Sequence, residues 1–248
     1  MKTFWIYTYA VLLVVKSIPQ LIKVKKMNDQ PFEKKAWTIH QTAVDICTKA
    51  IRETKSNVMV QGLENLPEGP VLFVSNHQSL FDILLFLGYI NRPIGFIAKK
   101  EIKKIPLINA WMEEMQCVFI DRSNRRSALK VIDDGVESLE KGQSMVVFPE
   151  GTRSKDGSIQ PFKSGSLRLA TRANVPIVPV AIKDTRYMLE ANDGKINAAN
   201  IELLVGTPIM PETYQSLKAT KIADRVYREV LEMLGHELPK SKATETNA

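Results

Sequence analysis

With two cysteines and three histidines in 248 residues, the chain has little of the chemistry that marks a metal site, a thiol enzyme or a disulfide scaffold. Cys47 and Cys117 sit in the apolar stretches VDICTKA and EMQCVFI without ligand partners at useful spacing. They read as small buried side chains of a reducing compartment. No metal or bound cofactor is implied, because no cluster of His, Cys, Asp and Glu stands at ligand spacing. Also missing are a G-x-S-x-G nucleophile elbow, an H-E-x-x-H helix and a G-x-x-x-x-G-K-S/T phosphate loop. Ser127 to Lys130 matches S-x-x-K, but inside a helical pattern and without its companion motifs. If the chain is an enzyme, these absences suggest that the nucleophile comes from a substrate or from water.

Acidic residues are absent between Met1 and Lys26, where five lysines stand: Lys2, Lys16, Lys23, Lys25 and Lys26. Between Lys2 and Lys16 lies FWIYTYAVLLVV, apolar apart from Thr8 and rich in aromatics. A simple spanning helix needs about 20 apolar residues, so this run is short for one. A signal peptide opens in the same way, but no small-x-small cleavage site follows, and the next residues, KSIPQLIKVKK, add positive charge. An interfacial or re-entrant anchor fits better, with aromatics at headgroup depth and lysines on anionic lipid. The formal charge of +7 points the same way, toward a polyanionic partner. Nucleic acid is the weaker candidate, because the basic residues do not alternate with aromatics in a recognisable binding motif.

No internal repeat and no dividing linker interrupts the chain. A helical pattern runs from Phe32 to Lys55, after which the periodicity changes. NVMVQG, GPVLFVSN, RPIGFIAK, CVFIDR, SMVVFPEG, PIVPVAIK and NIELLVG are short runs of strand length and composition. Between them lie the helical stretches LFDILLFLGYI, Pro106 to Met115, NRRSALKVIDDGVESLEKG and a C-terminal helix beginning near Pro211. Ser123 is a candidate N-cap and Gly142 a candidate stop for the third of these. The alternation predicts an α/β fold with a mixed, largely parallel sheet covered by helices, preceded by an N-terminal membrane-associating helical segment. The expected division is 1–57 for that helical region, 58–237 for a catalytic domain and 238–248 for a polar, fraying tail.

Of the three histidines, His40 lies within a helical pattern and His236 near the chain end, neither with chemical company. His77 follows the apolar strand VLFVSN and precedes a helix, at the strand edge where open α/β sheets form ligand crevices. Asp82 stands five residues on, placed to reach back from the first helical turns to one ring nitrogen. That contact would fix the tautomer and leave the other nitrogen to accept a proton. In MVVFPEGTRS a second strand ends in Glu150, Gly151, Thr152 and Arg153. Gly151 permits a tight turn, Arg153 offers a planar fork for phosphate, and Glu150 could orient that arginine or bond a substrate hydroxyl. Arg122, after VFID, and Lys99 and Lys100, after IGFIA, add cations at two further strand ends.

N-H-Q-S-L-F-D, the G-F-I-A-K-K and V-F-I-D-R segments, F-P-E-G-T-R-S and V-P-I-V-P-V together resemble the ordered blocks of the glycerolipid acyltransferases related to 1-acyl-sn-glycerol-3-phosphate acyltransferase. They run in that family's order from Ser75 to Val180. The basic, apolar N-terminus is also similar to the membrane-associating helical region of bacterial members. The resemblance implies that His77 is the general base and Asp82 its orienting partner. It implies that Arg122, Glu150, Gly151, Thr152, Arg153 and Lys100 bind the acceptor's phosphate and glycerol, the lysine being the looser match. The acceptor would be lysophosphatidic acid, acylated at its sn-2 hydroxyl by a thioester of acyl-carrier protein or coenzyme A, without an acyl-enzyme. Pro176 and its neighbours would be structural or would touch acyl chain. The enzyme would work on the cytoplasmic face of the cell membrane.

Overall fold

The computed structural model describes residues 1–121, 125–154 and 156–236. Each of the apolar runs read as a strand forms one: β1 (Asn57–Gln61), β2 (Leu72–Ser75), β3 (Ile94–Lys99), β4 (Val118–Ile120), β5 (Ser144–Val147), β6 (Ile177–Lys183) and β7 (Asn200–Val205). Among the described residues they make one sheet in the order β1-β7-β6-β2-β5-β3-β4. The pairs β1–β7, β2–β5, β2–β6, β3–β4 and β3–β5 are parallel, and β6–β7 is antiparallel. The expected mixed, largely parallel sheet is the one observed. Its centre explains the sequence: β2 and β5 are buried at every position, whereas the edge strand β1 alternates half-buried with exposed. Strands covered on both faces read as continuous apolar runs, and edge strands as alternation.

Successive side chains on the central strands feed two cores on opposite faces of the sheet. Phe73, Val146, Val178 and Val180 join a core with α3 (Phe32–Glu53), α4 (Phe81–Tyr89) and α5 (Pro106–Glu114), through Ile39, Ile51, Leu85, Phe86 and Trp111. Leu72, Val74, Met145 and Val147 join the other, with α6 (Arg125–Glu140), α7 (Arg168–Ala173) and α9 (Ala219–Leu234). Gly142 takes a left-handed φ of 95° just beyond α6, as its proposed role as a stop requires. Ser123, the proposed cap of that helix, lies outside the described residues, as does the 238–248 tail.

Two expectations need correction. The C-terminal helix does not run unbroken from Pro211: a short α8 (Pro211–Tyr214) ends before α9 begins at Ala219. Tyr214 is the reason. Its fully buried hydroxyl donates to the carbonyls of Ala170 and Val175, at 3.1 and 2.7 Å, which fixes the chain against α7 before it can turn into α9. The N-terminal apolar run also extends further than its composition suggested. α1 (Lys2–Lys16) passes into α2 (Ile18–Lys25) with a break at Ser17, whose hydroxyl donates to the Val14 carbonyl at 2.7 Å. Pro19 is tolerated because it falls in the first turn of α2, where its missing N–H leaves no bond unmade. The combined Lys2–Lys25 segment is long and apolar enough to cross a membrane, and 17% of its most apolar window is buried. One side of it rests on the domain: Trp5 Nε1 donates to Glu53 at 2.8 Å, and Trp111 Nε1 to Ser17 at 2.9 Å.

Candidate active site

Strand order decides where chemistry gathers. β2 lies between β6 and β5, and all three run parallel, so their C-terminal ends open onto one rim. Asn76, just past β2, is buried and ties the strand ends together. Its amide nitrogen donates to the Ile182 carbonyl and its amide oxygen accepts the Ile182 N–H, both at 2.9 Å. Such a doubly bonded buried amide is expensive to disturb, since either group left unpaired costs about 1–3 kcal/mol. The next residue is His77.

The His77 ring is gripped on its inner side. Its Nδ1 lies 2.7 Å from Asp82 Oδ2, as the five-residue spacing proposed. The same oxygen accepts the main-chain N–H groups of Gln78 and Ser79 at 2.7 and 2.9 Å. Surrounded by donors and fully buried, Asp82 acts as an acceptor, so Nδ1 carries a proton and, in the neutral ring, Nε2 carries the lone pair. Among the described residues no hydrogen bond reaches Nε2. Phe148, at the end of β5, stacks on the ring with centroids 4.1 Å apart and planes 16° from parallel. The ring is thus held flat against an apolar neighbour, with its side chain 18% exposed.

Glu150 occupies a different place from the one its neighbourhood in sequence suggested. It does not orient Arg153. Its buried carboxylate accepts the His77 N–H at 2.8 Å on one oxygen and the Gln160 N–H at 2.9 Å on the other. Burial pushes its carboxyl above the usual range, against the two backbone N–H groups that hold it down. The Ser154 N–H donates to the His77 carbonyl at 2.8 Å, so the loop after β5 grips both sides of the histidine's backbone. Gly151 turns that loop at φ 79°, and a Cβ there would stand 3.0 Å from Lys163 Nζ, which itself donates to the Glu150 carbonyl at 3.0 Å.

Arg153 is held by Glu190, a residue the sequence did not single out. Its Nη1 lies 2.6 Å from Glu190 Oε1, which also accepts the Leu80 N–H at 3.0 Å at the start of α4. A second unexpected partner is Thr185, whose hydroxyl donates to Asp82 Oδ1 at 2.5 Å. Both residues follow β6, the strand that carries V-P-I-V-P-V. Pro176 itself lies just before β6, at the end of the strand away from His77, where its carbonyl accepts the Leu72 N–H at 2.9 Å. A signal for Thr185 and Glu190 existed in principle: they follow a central parallel strand, as His77 and Glu150 do.

The remaining candidates take no part in these hydrogen bonds or lie outside the described residues. Lys100 pairs with Asp121 at 2.6 Å across β3 and β4, and that bond raises its ammonium above the ordinary lysine range. Thr152 is exposed beside Arg153. Arg122 lies outside the described residues. His40 is buried edge-to-face against Trp37 and pushed below the usual imidazole range by that burial, and His236 is exposed. Among the described residues no group of three or more His, Cys, Asp and Glu side chains could hold a metal ion.

Residues 57–183, just over half of the chain, match the family model described as Acyltransferase. The chain belongs to that family. It is 36% identical over 178 residues to the chloroplastic 1-acyl-sn-glycerol-3-phosphate acyltransferase BAT2 of Brassica napus, covering 71% of this chain and 50% of the relative. It is 34% identical to the 1-acyl-sn-glycerol-3-phosphate acyltransferase of Saccharomyces cerevisiae, over 72% of this chain and 60% of that one. The chain therefore spans about half the length of these relatives. The crystal structure of the 1-acyl-sn-glycerophosphate (LPA) acyltransferase PlsC from Thermotoga maritima superposes with a TM-score of 0.82 at 30% identity, covering 96% of this chain and 97% of that one. The Acyltransferase match contains both His77 and Asp82 and ends two residues before Thr185.

Proposed function

We propose that the protein transfers a fatty acyl group from an acyl thioester to the sn-2 hydroxyl of 1-acyl-glycerol-3-phosphate, making phosphatidic acid in phospholipid synthesis. The observation that carries this reading is the His77–Asp82 contact at 2.7 Å, with the ring's other nitrogen unengaged among the described residues. His77 Nε2 takes the proton of the acceptor hydroxyl as its oxygen attacks the thioester carbonyl. Asp82 stabilises the imidazolium that forms. Collapse of the tetrahedral intermediate expels the thiolate, which recovers the proton, and no acyl-enzyme is made. General-base catalysis of this kind contributes typically about 10²–10⁴-fold, and alignment of two bound substrates contributes further.

Arg153 supplies charge for the acceptor's phosphate, with Lys100 and Arg122 as further cations for the same group. The names of the relatives, each a 1-acyl-sn-glycerol-3-phosphate acyltransferase, support the choice of acceptor. The donor is a thioester of acyl-carrier protein or coenzyme A, and no bound cofactor is required. In this scheme residues 1–57 seat the enzyme on the cytoplasmic face of the membrane and residues 58–237 carry out the reaction. Both substrates carry apolar chains, so an enzyme resting on the bilayer avoids extracting them into water.

The test is turnover of labelled acyl thioester by the purified protein on liposomes, with and without lysophosphatidic acid, beside His77→Ala. Label in phosphatidic acid that requires both acceptor and His77 is the expected result. Free fatty acid formed equally without acceptor would make the protein a thioesterase, and normal transfer by a folded His77→Ala protein would remove the base.

A further inference from the structure

We infer that Thr185 is a positioning residue for the reaction, acting on His77 through Asp82. The inference rests on the reading of that pair given above.

The two oxygens of Asp82 are supplied unequally. Oδ2 receives the His77 ring and the Gln78 and Ser79 N–H groups, whereas Oδ1 receives the Thr185 hydroxyl alone among the described residues. Both side chains are fully buried, so water cannot replace that hydroxyl. Three donors converging on Oδ2 locate that atom but leave the carboxylate free to swing about it. The bond to Oδ1 fixes the plane. A carboxylate held in plane presents one lone pair to Nδ1 and keeps the imidazole in the tautomer that exposes Nε2 as a base.

Thr185 reaches Asp82 from 103 residues away, and its own position is set before it does so. The Asn76–Ile182 clamp fastens the end of β6 to the residue preceding His77. Thr185 then lies three residues beyond the clamp, at the head of the Thr185–Met188 turn, where Met188 is fully buried in the core beneath α4. The hydroxyl has little freedom to miss its target. Without it, Oδ1 becomes a buried anionic acceptor with no donor, a situation that buried polar networks do not tolerate in place.

Valine and serine separate the hydrogen bond from the packing. Thr185→Val keeps the branched shape and removes the donor; Thr185→Ser keeps the donor and removes the methyl. With full-length protein on liposomes, Thr185→Val should lower kcat by about tenfold or more, within the range general-base catalysis supplies. KM for lysophosphatidic acid and for the thioester should stay unchanged, and Thr185→Ser should retain most of the activity. In protein labelled with ¹⁵N-histidine, the neutral ring of wild-type His77 should be the Nδ1–H tautomer, and Thr185→Val should show a mixture of the two. Resonances are assigned by comparison with His77→Ala. Thr185→Ala carries the same expectations should the valine protein not fold.

Wild-type kcat in Thr185→Val, equal losses in the valine and serine proteins, or a rise in KM with kcat intact would each overturn the inference. The tautomer measurement needs no turnover, so it separates the two levels of the argument. A His77→Ala protein that still transfers acyl groups removes the base reading. An inactive His77→Ala beside an unchanged tautomer in Thr185→Val removes Thr185 alone.

Discussion

The Glu150 carboxylate reaches from the loop after β5 to accept the His77 main-chain N–H at 2.8 Å, so a residue 73 positions away sets the backbone from which the ring projects. Its second oxygen accepts the Gln160 N–H at 2.9 Å, bracing the loop that carries Gly151 and Arg153. Both oxygens are acceptors, and glutamine supplies only one. We predict that Glu150→Gln sets an amide NH₂ against a backbone N–H and destabilises the fold by about 1–3 kcal/mol, as expected for losing a buried hydrogen bond to a charged group. Transfer activity should fall further than stability alone explains, because the His77 backbone shifts. Chemical denaturation measured beside single-turnover rates checks this; unchanged denaturation midpoints would show that the brace is dispensable.

Arg153 should matter for the acceptor and little for the fold. Its side chain is half exposed, and an ion pair at such a site contributes at most about 1 kcal/mol after solvent screening. Glu190 takes one edge of the guanidinium and leaves its other N–H donors for a phosphate. Arg153→Ala should raise KM for lysophosphatidic acid by about 10- to 100-fold, the worth of one or two charge-assisted hydrogen bonds. Glu190→Gln should raise it less, by loosening the arginine, with thermal stability nearly unaltered. If acceptor saturation is the same in Arg153→Ala as in wild type, the arginine does not bind the acceptor.

The contrast between His77–Asp82 and Glu190–Arg153 shows which features could be read before the structure was known. A histidine at a strand end and an aspartate five residues later sit on one strand–helix turn, so local geometry suffices. The strands were legible for a similar reason: buried runs such as VLFV and SMVV carry no polar interruption, and turn residues bound them. Thr185 and Glu190 meet their partners across 103 and 37 residues, through the placement of β2 between β6 and β5. Nothing in the spacing of residues specifies that strand order. Glu150 shows the converse: nearness in sequence to Arg153 offers a pair as one of its two readings, while the turn at Gly151 sends the two side chains to different partners.

The cysteines should be inert in the folded protein. Burial pushes both thiols up to about 12, and Cys117 Sγ accepts the Phe96 N–H at 3.3 Å between β3 and β4. At pH 8 the thiolate that an alkylating reagent needs is therefore a trace species. Iodoacetamide should modify Cys47 and Cys117 only as fast as the protein opens, with both reacting promptly in denaturant and melting unaffected by reductant. Rapid labelling of native protein, followed by mass spectrometry, would contradict the burial of Cys47 in the core and the packing of the partly buried Cys117 against it.

The N-terminal helices divide their apolar residues between two faces, and the division supports a prediction about each. Ile6, Leu21 and Val24 are buried against the domain, while Phe4, Val11, Val15 and Ile22 are exposed. These four fall on one side of the continuous α1–α2 segment, at the spacing of a helical stripe. Water is a poor environment for such a stripe, whereas the acyl boundary of a bilayer is a favourable one, and Lys2, Lys16, Lys23 and Lys25 stand along the same segment to meet anionic headgroups. Replacing Phe4, Val11 and Val15 by serine should cut co-sedimentation with anionic vesicles by about tenfold or more, since each apolar side chain buried contributes about 1.5–3 kcal/mol. Helical content and melting should hardly change, because those side chains touch solvent in the folded protein. Leu21→Ala should do the opposite, lowering stability by about 2–5 kcal/mol while sparing vesicle binding by the protein that remains folded. Equal pelleting of wild-type and triple-serine proteins would mean that the exposed stripe is not the surface that meets lipid.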